Sequence, residues 1–236
     1  MKSRTQSQAT LHSFEHAEHR IAYRVYSYPE LTTGRRLVLV HGAGVAGRHT
    51  WEALQRFLSG WSEVLVPDLR GAGDTQSLDS HEHPFLVEEL VADLQALLSH
   101  LGWTRFDLGG YSLGGLVSLL LKQNLRDQVE KQYLLESAAL DRLDWQETVS
   151  VRQQFAAAAQ VLHQQDAETG IKRFLDTISP NRRISEQVEK LTIQRLGERA
   201  KGFAHSLEAV NAAISQLDRE RLLAAQGDVS SFIGSL

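Results

Sequence analysis

Cysteine is absent from the 236 residues, which excludes disulfides, thiolate metal sites and cysteine nucleophiles together. Neither sign of charge dominates. Twenty-five Lys and Arg against 29 Asp and Glu leave a net charge of -4, and nothing in that balance calls for nucleic acid as a partner. No stretch approaches the ~18 consecutive apolar residues of a membrane span. Met1 to Thr10 is polar and lacks the apolar run of a signal peptide. No internal repeat is evident. These absences suit a cytoplasmic protein without membrane or nucleic-acid partners.

What is present is ordinary globular composition, 42% hydrophobic and 23% charged, in a chain long enough for one large core with an inserted lid. Leu11 to Glu15 and Ile21 to Tyr26 read as two short strands joined near Glu18-His19. Leu37-Val38-Leu39-Val40 is a continuous apolar run of the kind found in strands buried on both faces. Trp51 to Leu58 has helical spacing, and Val64-Leu65-Val66 reads as the next strand. Phe85 to Leu101 places leucines and valines at three- and four-residue steps and is stopped by Gly102. Phe106 to Gly110, Leu113 to Asn124 and Tyr133 to Leu135 continue the alternation as strand, helix, strand. That order predicts a doubly wound α/β fold with a mostly parallel sheet and helices on both faces. Residues 144 to 224 are helical in pattern and read as a lid, so the core comprises 1 to 143 and 225 to 236. Val229 to Ile233 reads as one last strand.

The chemistry centres on Gly110-Tyr111-Ser112-Leu113-Gly114, a G-x-S-x-G pattern set between a strand-like and a helix-like segment. Small residues on both sides permit a sharp turn that pushes the serine hydroxyl into the open. The plainer alternative makes Ser112 an ordinary helix N-cap in a glycine-rich turn. A turn of this kind aims the N–H of Leu113 at a substrate carbonyl oxygen, helped by the helix dipole. The loop His41 to Gly47, with three glycines, can bring a second N–H donor close.

Three segments in order, Leu39-Val40-His41-Gly42-Ala43-Gly44, Asp68-Leu69-Arg70-Gly71-Ala72-Gly73 and Gly110-Tyr111-Ser112-Leu113-Gly114-Gly115, resemble the α/β-hydrolase family over roughly residues 11 to 233. The resemblance implies catalytic Ser112, with oxyanion-hole N–H groups from Ala43 and Leu113. It makes His41 a loop organiser rather than a base, and a helical lid before the seventh strand fits residues 144 to 224. Thr75 stands where family members often have serine. Serine at 112 disfavours the epoxide hydrolases and haloalkane dehalogenases, which use an aspartate there.

The resemblance places the acid after the seventh strand and the histidine after the eighth. If Val229 to Ile233 is the seventh, the eighth strand, the final helix and that histidine are expected to be missing, as in a C-terminally truncated hydrolase or a site-incomplete relative kept for binding. Inside the chain, Glu136 is the acid candidate, with Asp141 behind it. Only His163 and His205 follow Ser112, and both read as packed or solvated residues of lid helices. His81-Glu82-His83 reads as a polar loop rather than a ligand pair. The expected function is cleavage of a small carboxylic ester or related acyl substrate through Ser112, without metal or organic cofactor. An unpaired sheet edge makes self-association an accompanying expectation.

Overall fold

The computed structural model describes residues 9–55, 57–138, 145–164 and 166–233. Strands β1 (Thr10–His16) and β2 (His19–Ser27) form an antiparallel hairpin. Its two-residue turn, Ala17 and Glu18, has φ of 43° and 60°, matching the twist of the flanking strands. The apolar runs that follow become β3 (Arg36–Val40) and β4 (Glu63–Pro67), paired in parallel. A short β5 (Gln76–Ser77) adds to β2, and β6 (Phe106–Tyr111), β7 (Val129–Leu135) and β8 (Val229–Phe232) extend the parallel part. The order across the sheet is β1-β2-β4-β3-β6-β7-β8.

The strand period of two explains why continuous apolar runs are needed here. Val38, Val40 and Leu65 point to one face, under helices α2 (Val87–Leu101) and α3 (Leu113–Asn124). Leu37, Leu39, Val64 and Val66 point to the other, where Trp51 of α1 (Gly47–Gln55) covers them with Tyr28. The sheet is thus doubly wound and mostly parallel, as the alternation of patterns predicts. Gly102 ends α2 in the left-handed conformation with φ 65°, and Trp103 N–H returns to the Leu98 carbonyl at 2.9 Å.

Several boundaries shift by one or two residues from the sequence reading, and α1 and β7 shift by more. Helix α1 runs Gly47–Gln55 rather than Trp51 to Leu58, and Phe57 is 59% exposed. Its start is set by the Asp68 carboxylate, which accepts the Gly47 N–H at 2.7 Å from 21 residues away, a cap that local spacing does not reveal. Strand β7 begins at Val129 rather than Tyr133: Val129 pairs with Phe106, the charged Glu130 and Lys131 fall in an irregularity of the ladder where Lys131 N–H donates to the Asp107 carboxylate at 3.1 Å, and regular pairing resumes at Gln132.

After β7 come α4 (Trp145–His163), α5 (Ala167–Ile178), α6 (Glu186–Gly197), α7 (Ala200–Gln216) and α8 (Arg219–Ala224). Phe155, Ala158, Leu162, Ile171, Leu175, Leu196 and Phe203 form a second apolar core among α4 to α7. Further along α7, Ala209, Val210 and Ala213 join the main core, as does Leu222 of α8. Strand β8 is exposed along its length, and among the described residues no strand pairs with its far side. Among those residues no helix is long and apolar enough to cross a membrane.

Candidate active site

Ser112 sits between β6 and α3 with φ 51° and ψ -119°, a conformation that L-residues rarely adopt. The neighbours hold it there. Its N–H donates to the Leu135 carbonyl at 3.1 Å, and its own carbonyl accepts from Gly115 and Ala138, each at 2.9 Å. Ser112 occupies the N-cap position of α3, yet its side chain makes no capping hydrogen bond. The hydroxyl is therefore not consumed by the helix.

The flanking glycines are packing requirements. A Cβ on Gly110 would run into the Gly114 carbonyl and the Ser118 hydroxyl, and one on Gly114 into the Val40 and His41 carbonyls. Gly42 lies against the serine itself: a Cβ there would stand 3.2 Å from Ser112 Cβ and 3.0 Å from the Tyr111 ring. These approaches seat the end of β3, the turn and α3 on one another. Ala43 follows directly and packs against both apolar cores. Leu113, the first residue of α3, is buried, and its N–H has no partner within the helix by geometry.

The loops around the serine are fixed by buried polar groups. His41 is buried between two backbone groups: Nε2 accepts from the Leu69 N–H at 2.8 Å, so Nδ1 carries the proton given to the Gly42 carbonyl at 2.6 Å. Burial holds this imidazole below its ordinary range, against the pull of the Asp68 charge. It is thus a neutral clamp joining the Gly42 and Leu69 loops. Asp68 accepts from Gly47 N–H, from Asp74 N–H at 3.0 Å and from Arg24 at 3.3 Å. Thr75, where serine was the common residue, gives its hydroxyl to the Asp68 carbonyl at 2.6 Å and accepts from Ala22 N–H at 2.8 Å. Arg70 makes two bonds to the buried Asp93, at 2.7 and 2.9 Å.

The helices after β7 reach this loop system through α7. Arg199 donates to the carbonyls of Ala72, Gly73 and Thr75 and pairs with Glu82. Gly202 packs on Gly71, and Phe203 lies where a Cβ on Gly44 would come within 2.5 Å of its ring. The sequence reading missed Arg199 and Phe203 as site neighbours, since more than a hundred residues separate them from their partners and no local pattern marks them.

The other candidates fall as follows. Glu136 directly follows β7 with φ 46°, its N–H bonded to the Phe232 carbonyl at 2.9 Å. The bonds from Ser112 N–H to the Leu135 carbonyl and from Ala138 N–H to the Ser112 carbonyl set the Glu136 backbone beside the serine turn, and burial, with the Glu136 charge as a second cause, pushes the Tyr111 phenol up. Asp141 lies outside the described residues. His81 and His83 are exposed and engage Asp79. His163 and His205 meet each other and Glu208 on α4 and α7. Among the described residues, no histidine is hydrogen-bonded to Ser112.

A model described as the alpha/beta hydrolase family matches residues 37–229. The chain is 31% identical over 114 residues to a soluble epoxide hydrolase of a Corynebacterium species, covering 48% of this chain and 38% of that protein. It is 34% identical over 108 residues to a 2-hydroxy-6-oxo-2,4-heptadienoate hydrolase of Pseudomonas putida, covering 45% of this chain and 38% of that one. The matched stretch thus spans less than half the length of these curated relatives. A carboxylesterase structure from Nitrososphaera gargenis aligns with a TM-score of 0.74 at 17% identity, over 96% of this chain and 80% of that chain, and so shares the fold. With a matched span running from β3 into β8 and a serine turn between β6 and α3, this chain belongs to the α/β-hydrolase family.

Proposed function

We propose that the chain is built for acyl transfer from a small carboxylic ester or related compound, with Ser112 as nucleophile. One observation carries the reading: Ser112 is held at φ 51° in the N-cap position of a helix, while its hydroxyl makes no capping bond. Strain of this kind costs about 1–3 kcal/mol and persists where the surroundings over-determine it, commonly at functional turns. Attack by Oγ on a carbonyl carbon would place the developing negative charge beside the N–H groups of Leu113 and Ala43. Serine rather than aspartate at 112 favours acyl chemistry over the epoxide opening named for one relative. Helices α4 to α7 serve as a lid, with Phe203 above the Gly44 loop setting part of the substrate's shape.

A serine hydroxyl needs a base to take its proton. His41 is engaged with Gly42 and Leu69, and His163 and His205 with Glu208. The reading therefore draws its base and orienting acid from outside the described residues, with Glu136 as the alternative acid within them. The same observation favours a second reading, a hydrolase-like protein that binds a ligand under the lid without turning it over.

Reaction with a fluorophosphonate probe separates the two. The hydrolase reading expects labelling, slowed by the missing base but supported by the oxyanion N–H groups, that disappears in Ser112→Ala. An absence of labelling in the wild-type chain, with saturable binding of a small ester, would decide for the binding protein. Open pairing along β8 also supports self-association, read directly as sedimentation that depends on protein concentration.

A further inference from the structure

Away from the serine turn, two helices converge on a compact group of metal-ligating side chains. His163 is the last residue of α4, and His205 and Glu208 stand one turn apart on α7. Glu208 bridges the two imidazoles, with His163 Nε2 at 2.8 Å from one carboxylate oxygen and His205 Nδ1 at 2.9 Å from the other. The ring centroids are 4.9 Å apart. One ligand atom from each residue can be chosen so that all three lie within 4.8 Å of one another. His205 is only 5% exposed, packs edge-on to Phe85 and leaves Nε2 without a hydrogen-bond partner among the described residues. A buried imidazole of this kind needs a further partner to offset its desolvation.

We propose that His163, His205 and Glu208 form a binding site for a divalent transition-metal cation, Zn²⁺ first among them. Two imidazoles and one carboxylate are a borderline donor set, suited to zinc, cobalt, nickel or copper and poorly suited to calcium or magnesium, which take oxygen ligands. In a tetrahedral zinc site with bonds of about 2.0–2.1 Å, neighbouring ligand atoms lie roughly 3.3 Å apart. The three ligand atoms stand within 4.8 Å of one another, so the side chains have to draw together to hold the ion. Binding would displace the imidazole proton that now lies between His163 Nε2 and the Glu208 carboxylate. Half-exposed Glu208 leaves one side open for a water as the fourth ligand.

The position assigns the ion a structural rather than a catalytic part. Phe203 faces the Gly44 loop, and residues two apart on a helix point to nearly opposite sides, so His205 faces away from that loop. A cation here would fasten the C-terminal end of α4 to α7, the helix whose N-terminal half presses on Gly71 and Gly44. The inference does not depend on the serine reading, because its readout is binding and not turnover.

The test is calorimetric titration of the chelator-stripped full chain with zinc chloride, repeated on His163→Ala and Glu208→Gln. Both positions are partly exposed, so these variants are expected to keep the wild-type circular dichroism. The site predicts one zinc per chain and at least a tenfold weaker affinity in each variant. Cobalt titration should give the visible bands of a four-coordinate ion in the wild type and lose them in the variants. His81→Ala with His83→Ala removes the competing exposed cluster around Asp79 and should leave zinc affinity unchanged. No binding in the wild type, equal binding in His163→Ala and Glu208→Gln, or loss of binding in the His81 and His83 variant would each overturn the proposal.

Discussion

Gly71 and Gly202 meet backbone to backbone. A Cβ on Gly71 would stand 2.7 Å from the Gly202 carbonyl oxygen, and one on Gly202 would be driven into the Gly71 carbonyl. The contact joins the Asp68 loop to the N-terminal part of α7, next to the Arg199 bonds and the Phe203 ring. Neither side has a flexible group that can yield. Gly202→Ala should therefore cost about 1–3 kcal/mol, the range for overpacking a close contact. Limited proteolysis should cut between residues 145 and 216 faster in this variant. Gly227→Ala is the control: open space surrounds that position, so its denaturation midpoint should match wild type within about 0.5 kcal/mol.

Ser112 offers a test of stored strain. Ser112→Gly and Ser112→Ala both remove the hydroxyl, but only glycine adopts φ 51° without steric cost. The glycine variant is expected to be about 1 kcal/mol more stable than the alanine variant after its larger chain entropy is counted. Urea unfolding of the pair measures the difference. Equal midpoints would mean that the turn imposes no strain on this residue.

The clamp made by His41 sets a pH dependence. Burial lowers its folded-state affinity for protons below the ordinary histidine value of 6.5. The unfolded chain then binds more protons, so this contribution is complete above pH 6.5 and is lost as the pH falls below it. Thermal melting should show stability falling from pH 6.5 toward pH 5. His41→Asn, which keeps an acceptor for Leu69 N–H but does not titrate, should be less stable at pH 8 and flatter across that interval. An unchanged slope in the variant would remove His41 from the explanation.

Asp68 is the heaviest polar node near the serine. It is fully enclosed, takes the N–H groups of Gly47 and Asp74, and faces the buried Arg24. Asp68→Ala leaves that guanidinium without one partner and α1 without its cap, with an expected loss of about 3–5 kcal/mol. Asp74→Ala, which removes the more exposed partner of Arg24, should cost well under half as much. Guanidinium denaturation of the two variants ranks them.

How much of this was readable in the chain depended on whether the cause was local. Val38 and Val40 against Leu37 and Leu39 announce a strand covered on both faces, because alternate residues must each find an apolar partner. Gly102 announces the end of α2, because its conformation is set within one turn. Ser112 and its glycines announce the sharp turn for the same reason. The start of α1 was misread because its cap is a carboxylate 21 residues away. Two-residue β5 has too few side chains to carry a period, and its strand state comes only from pairing with β2. His163, His205 and Glu208 gave no signal as a group, since the packing of α4 on α7 is what brings them together.

The strand order also fixes a timetable for synthesis. Every strand from β1 to β7 lies before residue 136, so the hairpin, helices α1 to α3 and the serine turn have all been made before α4 begins, while the part of the main core supplied by α7 and α8 has not. β7 then waits for its outer neighbour until residue 229 has been made. During that interval the nascent sheet carries an open edge beside the serine turn, and the residues of α4 to α7 are the first available to shield it. Codons that slow translation between residues 136 and 229 should therefore raise aggregation of the emerging chain more than equal delays placed before β6.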